Sequence, residues 1–361
     1  MAGSVRVSLK DLETFAVDAM CHYGIAETDA RLSAQILVMT DSWGVHTHGT
    51  RQLRSLLKNF PIGRLKAEAK PEIVRDIGSW ALIDGHHSVP FVTAYRAMEL
   101  AIQKAKKNGI GCVGVVHTSH FGAAGYYATL AAEQQMIGIA MCNADPNMTI
   151  PGARGKILGT NPLAYAIPAG KKRPVFLDIA TSAVAANKVI RAKLLGQTIP
   201  DGWLVDDDGL PTTDPSDFPE KGALMPMAAH KGYGFALLVE VLAGVMTGAA
   251  LTKEQPSWVP DVPGNPPGPA DQGQMFIAID AGMMLTADEF QKRMDWLVNY
   301  IHNSPKASGT DRIYVPGEIE WGKREDALAR GVILPPDVVD SLNGLAQDIG
   351  LEMLPFEAID N

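Results

Sequence analysis

Cysteine is scarce: Cys21, Cys112 and Cys142 are the only three in 361 residues, and they are far apart with no CxxC pair. An odd, scattered set predicts reduced thiols rather than a disulfide framework or a Cys-based metal site. Basic charge is in deficit, with 32 Lys+Arg against 40 Asp+Glu and a net charge of −8. Nucleic-acid partners demand a basic footprint, so none is expected; the longest basic run, Lys171-Lys172-Arg173, reads as a turn. Long apolar runs are missing too. Phe235–Leu251 is interrupted by Glu240, falls short of a membrane span and reads as a buried helix. The opening MAGSVRVSLKDLETF has no apolar segment of a secretory signal. These absences together lead to the expectation of a soluble cytoplasmic protein without a membrane partner.

What is present suits a large globular core. Hydrophobic residues make up 46% and charged ones 20%, which excludes disorder along the whole chain. The length suggests two or three domains at about 150 residues each. The first sixty residues read as helical, with Ser8 and Asp11 forming a capping-box-like start and a polar turn at Gly44–Gly49. From residue 79 the pattern changes to short strands and helices in alternation: Ala81–Ile83, Ile110–Val116, Ile137–Cys142, Leu163–Ile167 and Val175–Leu177 are predicted strands. The last two, joined at Gly170, imply that part of the sheet is antiparallel. Residues 256–273 hold six prolines and read as a long irregular loop, a kind of segment that is often functional. Helices return at the end, one started by Thr286 with Glu289 and one after Pro335-Pro336. The expected layout is a helical domain from residues 1–75 with 285–361, around an α/β core of residues 76–284.

Gly109–Gly114 spells GxGxxG, but a helix precedes it and a strand follows. A Rossmann fingerprint needs the opposite order, so that a helix start meets the pyrophosphate. Small residues packing within a strand are the better reading. His230–Gly234 (HKGYG), opening a helix, is a second phosphate candidate, with Lys231 adding charge; a plain glycine-rich turn is its alternative.

Six of the nine histidines fall in close pairs: His46/His48, His86/His87 and His117/His120. No HExxH spacing or cysteine cluster accompanies them, so no metal is expected. Asp206-Asp207-Asp208-Gly209 lacks calcium-loop spacing. Acid–base work at neutral pH, such as protonating a carbonyl oxygen as hydride reaches its carbon, fits histidine at the end of a strand; a hydrogen-bonded structural histidine is the alternative. No GxSxG elbow points to a serine nucleophile.

Several segments occur in one order: GVHTHG (44–49), SHFGAAGYYA (119–128), GTNPL (159–163), DIATS (178–182), IPDGW (199–203), PTTDP (211–215), KGYG (231–234) and PGE (316–318). In that order they resemble the type 2 malate/L-lactate dehydrogenase family, over residues 8 to 350. The family also holds ureidoglycolate, sulfolactate and diketogulonate oxidoreductases and a cyclic-imine reductase. The resemblance implies a non-Rossmann dinucleotide-binding α/β fold with a mixed sheet, a homodimer, and an NAD-dependent oxidoreductase, with NADP also possible. Its substrate would be a small 2-hydroxy acid and the matching 2-keto acid. A cyclic-imine reductase, a ureidoglycolate dehydrogenase or a non-catalytic nucleotide-binding protein on the same fold are the alternatives.

Carried over residue by residue, the resemblance makes His120 the acid/base and places Thr47 and His48 near the substrate. It puts the cofactor around Thr160 and Asn161, Asp178, Ile179, Ala180 and Thr181, Lys231 and Gly232, and Gly317 and Glu318. Asp145, in CNADP (142–146), is assigned here as the group that orients His120. Where the family often has an arginine for the substrate carboxylate, this chain has Gln52, flanked by Arg51 and Arg54. Arg51 is taken as the carboxylate ligand. Asn187 stands where the family tends toward glycine. An acidic protein handling anionic substrates is further expected to concentrate positive groups in its pocket.

Overall fold

The computed structural model describes residues 4–262, 265 and 267–359. Its centre is a seven-stranded sheet, in the order Glu72–Ile77, Trp80–Asp84, Ile110–Thr118, Gln272–Asp280, Met136–Cys142, Leu163–Ile167, Val175–Ile179. Only Trp80–Asp84 and Ile110–Thr118 run parallel; every other neighbour is antiparallel, as the 163–177 pattern suggested. One parallel pair cannot build the βαβαβ unit of a Rossmann domain.

The continuous apolar run 110–116 is a central strand because both its faces are covered. Helices Pro90–Asn108 and Ala124–Glu133 pack on one face. On the other lie Val239, Leu242 and Ala243, against Met141 and Met275. The GxGxxG glycines serve this packing. A Cβ on Gly111 would run into the carbonyl oxygen of Ala101, so glycine lets the Pro90–Asn108 helix sit directly on the strand. Cys112 and Cys142 are buried in strands, and all three cysteines are free thiols.

The terminal segments meet each other. Val5–Val7 pairs between Val332–Leu334 and Glu357–Ala358, and one buried cluster runs from Leu12 through Phe91 and Phe276 to Leu342. The edge strand Glu72–Ile77 straddles the expected boundary at residue 75. Ser8 caps the Leu9–His22 helix by accepting from the Asp11 amide, and Thr286 with Glu289 forms a complete capping box. A smaller apolar cluster around Met148, Val189, Leu204 and Phe218 supports the outer lobe, with its three-stranded sheet of Leu204–Val205, Pro211–Thr212 and Ala223–Leu224.

The expected buried helix over 235–251 needs correction. An α-helix spans His230–Val239, continues as a π-helical turn over Glu240–Val245, and buries only one side. Phe235, Leu238, Val241, Val245 and Met246 are exposed by 39–55%. Glu240 opens that turn: it is buried and accepts from Asn161 Nδ2 (2.8 Å), the Thr252 amide (3.2 Å) and Asn143 Nδ2 (3.4 Å). Among the described residues no helix is long and apolar enough to cross a membrane.

Candidate active site

The polar turn Gly44–Gly49 owes its shape to a carboxylate that sequence inspection overlooked. Asp41, fully buried, accepts from His46 Nδ1 (2.9 Å), the Thr50 amide (2.8 Å) and Thr50 Oγ1 (2.7 Å). A Cβ on Gly49 would occupy the space of that carboxylate, so glycine is required there. The turn thus held presents Thr47 and His48, whose side chains hydrogen-bond to each other (Oγ1 to Nδ1, 2.9 Å).

His120 leaves the end of the Ile110–Thr118 strand on a tied-down loop. Gln274 Nε2 donates to the Ser119 carbonyl (3.0 Å), and Tyr127 donates to the Phe121 carbonyl (2.6 Å). The Phe121 ring is locked against Tyr127 and Phe276, with centroids 5.0 and 5.9 Å away. The Gly122 amide donates to His120 Nδ1 (3.1 Å), which fixes the neutral ring with its proton on Nε2. The two helical and strand segments bring His48 and His120 together, ring centroids 5.5 Å apart. Burial, then the Arg51 charge, pushes His48 down to about 4. Burial, then His48, holds His120 well below the usual imidazole value. Both rings are uncharged at neutral pH.

One cavity of about 1180 Å³ contains this pair, and its lining tests each expected site residue. Thr47, His48, Arg51, His120, Asp145, Thr160, Asp178, Ala180 and Gly317 all line it. Asp145 does so with no hydrogen bond to His120, so the assigned orienting role is corrected: the Gly122 amide bonds the ring instead, and burial raises the Asp145 pKa. Asp178, accepting from the Gly125 amide (2.7 Å), is pushed up to about 6 by burial.

The remaining expected residues work around the cavity rather than in its lining. Asn161 is fully buried, ties the Ala144 amide (3.0 Å) to Glu240 (2.8 Å), and has a φ of 29°. Thr181 bonds the Thr160 carbonyl through both amide and hydroxyl, each at 2.8 Å. Ile179 closes the Val175–Ile179 strand. Glu318 holds the 315–317 loop by accepting from the Val315 amide (3.0 Å) and His302 (2.9 Å). Lys231 is exposed and outside the lining, and Gly232 is packed against the Met227 backbone. Several helix starts reach the cavity, Ala124–Glu133 through Ala123 and Ala124 among them; another is Ala186–Leu194, through Ala185, Ala186 and Asn187. No side chain caps it, so its first amides are available to an anion.

One lining residue beside His120 escaped the sequence reading. Trp258 stacks on His120, centroids 4.6 Å apart, and comes from the proline-rich loop. That loop is latched by Asn59 to the Trp258 carbonyl (3.1 Å) and by Arg64 to the Ser257 carbonyl (2.8 Å). Gln52 lies 3.5 Å from His120 Nε2 and donates to the Thr47 carbonyl (2.7 Å). The expected positive pocket is also corrected. Asp145, Asp178, Glu320, Asp337 and Asp340 line it against Arg51, Arg54 and Lys58, and Arg51 is paired with Asp337 at 2.8 Å. Among the described residues no group of three His, Cys, Asp or Glu side chains is placed to hold a metal ion.

A mixed, non-Rossmann sheet with paired histidines in a large cleft defines a class, and comparison with known proteins names it. Residues 7–343 match the malate/L-lactate dehydrogenase family model. A malate dehydrogenase of Pyrococcus abyssi is 35% identical over 357 residues, 97% of this chain and 96% of that one. An L-sulfolactate dehydrogenase of Methanocaldococcus jannaschii is 36% identical over 340 residues, 93% of this chain and 95% of that one. The solved structure of sulfolactate dehydrogenase from Methanocaldococcus jannaschii superposes with a TM-score of 0.88 at 34% identity, covering 96% of this chain and 98% of the other. The chain belongs to the malate/L-lactate dehydrogenase family, and is a dehydrogenase acting on a hydroxy acid.

Proposed function

We propose that the protein interconverts a small 2-hydroxy acid and its 2-keto acid with NAD or NADP, and that His120 is the acid/base. The observation that carries this reading is the shared cavity: His120, His48 and Arg51 line the same space as the uncapped Ala186–Leu194 helix start, Asp178 and Ala180. At about 1180 Å³ it exceeds the roughly 300–1,000 Å³ of a site for a drug-sized ligand, leaving room for a dinucleotide beside a small acid.

The residues present fit such a cofactor. The free amides at Ala186 and Asn187 suit a pyrophosphate, with Thr160, Ala180 and Gly317 beside it in the lining. The nicotinamide, when bound, supplies or accepts the hydride. The chain does the rest. Arg51 holds the substrate carboxylate, and Thr47 fixes the His48 ring by hydrogen bond. His120 directs Nε2–H at the carbonyl oxygen and passes that proton to the forming alkoxide; the ring, left one proton short, recovers it from solvent when the product leaves. Trp258 covers that ring and excludes water from it.

Purified protein with NADH or NADPH is expected to consume the reduced cofactor when given 2-keto acids. Cofactor binding without turnover on any of them would instead make it a non-catalytic nucleotide binder. A pyrophosphate at Ala186 rather than Lys231 makes a second expectation. Asn187→Asp, which places a negative charge at the cavity-lining helix start, weakens cofactor binding about tenfold while the charge favours the helix itself. Lys231→Ala leaves binding unchanged. The reverse ranking in a fluorescence titration restores Lys231 as the phosphate ligand.

The exposed apolar side of His230–Met246 supports the homodimer implied by the resemblance. Sedimentation is expected to give twice the chain mass, and Leu238→Glu with Val241→Glu to give the single chain; a monomeric wild type rejects the dimer.

A further inference from the structure

We infer that Trp258 is the wall that confines the substrate to a short tail, and that Arg64, outside the cavity, holds that wall in place. The inference rests on the hydroxy-acid dehydrogenase reading above and names the residues that set the size of its substrate.

The reacting carbon must bring its oxygen within reach of His120 Nε2, so whatever crowds His120 limits the tail attached to that carbon. The Trp258 ring stacks on His120 with centroids 4.6 Å apart, closer than His48 at 5.5 Å, and all three line the cavity. Its backbone is anchored to Asn59, in the segment that continues from His48, Arg51 and the Leu53–Leu57 helix. Trp258 therefore closes the substrate end of the cavity, and not the end formed by Ala185–Asn187.

A wall selects by size only if it cannot move aside, and a side chain on a long loop would ordinarily yield. This loop is stapled. The Arg64 guanidinium donates through Nη2 to the Ser257 carbonyl (2.8 Å) and through Nε to the Gly268 carbonyl (2.7 Å), so one rigid, planar group ties two distant points of the loop. Asn59, buried, donates to the Trp258 carbonyl (3.1 Å). The Arg64 amide donates to the Asn59 carbonyl (3.0 Å), so both latches belong to one turn. From within the loop, Asn265 accepts from the Ser257 amide (2.7 Å) and donates to the Val259 carbonyl (3.1 Å). The backbone is fixed on both sides of Trp258. A short tail fits beside the indole, whereas a branched or aromatic one has to displace it, and overpacking a fixed wall is costly.

The test measures kcat/KM for oxidation, with NAD+ and with NADP+, of both enantiomers of each acid. Lactate and malate are the short acids, and 2-hydroxy-4-methylpentanoate and 3-phenyllactate the bulky ones. Wild type is expected to favour the better short acid over the better bulky one by about tenfold or more, and Trp258→Ala to lower that ratio about tenfold. Arg64→Ala is expected to lower the same ratio, and to add nothing in a Trp258→Ala background, because it acts through the indole. A purely structural role for Arg64 would move the melting temperature and leave the ratio alone. The wall is rejected if wild type oxidises bulky acids as well as short ones, or if Trp258→Ala folds with an unchanged ratio or with no activity on any of the acids. The wild-type and Trp258→Phe ratios decide if Trp258→Ala does not fold. An unchanged ratio in Arg64→Ala, or a shift that persists without Trp258, overturns the latch. A wild type that oxidises none of the acids with either cofactor is a different result: it removes the parent reading and the inference together.

Discussion

His120→Ala lowers turnover by about 10²–10⁴-fold, the usual contribution of a positioned acid/base group, and leaves cofactor affinity nearly unchanged. The asymmetry follows from where the ring sits. Its contacts are Gly122, Gln52, His48 and Trp258, whereas the cofactor-sized part of the lining is formed by Ala185–Asn187, Thr160, Asp178 and Gly317. Equal losses in turnover and cofactor binding would show His120 to be a structural ring. The pH dependence gives a second, sharper readout. With its pKa held well below about 6.5 by burial and by His48, the ring is uncharged throughout the neutral range, and the Gly122 amide at Nδ1 opposes a second proton. The donor in carbonyl reduction is then the neutral Nε2–H, which does not titrate in that range. Reduction measured as kcat/KM is expected to stay flat from about pH 6.5 upward. A decline with pH centred near 6.5 would identify an imidazolium donor and contradict the depressed pKa.

Asp41→Ala is expected to cost about 3 kcal/mol of stability and to abolish most of the activity. Thr50 would lose an acceptor for both its amide and its hydroxyl, and His46 its Nδ1 partner, in a place fully shut off from water. An unsatisfied buried donor carries the whole desolvation penalty, so the turn has reason to rearrange. Thr47 and His48 ride on that turn, and Gln52 is tied to it through the Thr47 carbonyl. Asp41→Asn keeps one acceptor oxygen and should lose less of both. Chemical denaturation and turnover measured on the two variants check the ranking; an Asp41→Ala protein with wild-type stability would show that solvent can replace the carboxylate.

Much of the architecture was legible because it rests on local rules. The apolar run Ile110–Val116 reads as a covered strand, and Gly109–Gly114 fails the dinucleotide pattern on element order alone. Ser8/Asp11 and Thr286/Glu289 announced their helices through side chains three residues apart, a contact confined to one turn. The Phe235–Leu251 stretch departs from the expected buried helix because apolar composition reports affinity for a core and not which side of a helix meets it. Leu238 and Val241 are as apolar as Val239 and Ala243, yet only the latter face the sheet.

The site divides along the same line. Sequence by itself determined the fold class, the family, and the two histidines that share the cleft, since each lies in a segment whose residue types and order carry the resemblance. Only the tertiary structure decided what bonds the His120 ring, that the Ala186–Leu194 helix start opens into the cavity, and what charge lines it. Asp145 is 25 residues from His120 and shares its cavity, but the ring bonds to Gly122 instead. Lys231 looks like a phosphate ligand, and its side chain lies outside the lining. Trp258 reaches His120 only because Asn59 and Arg64 pin a distant loop. These assignments depend on contacts between segments far apart in the chain, where direction and desolvation decide, and neither quantity is written in residue spacing.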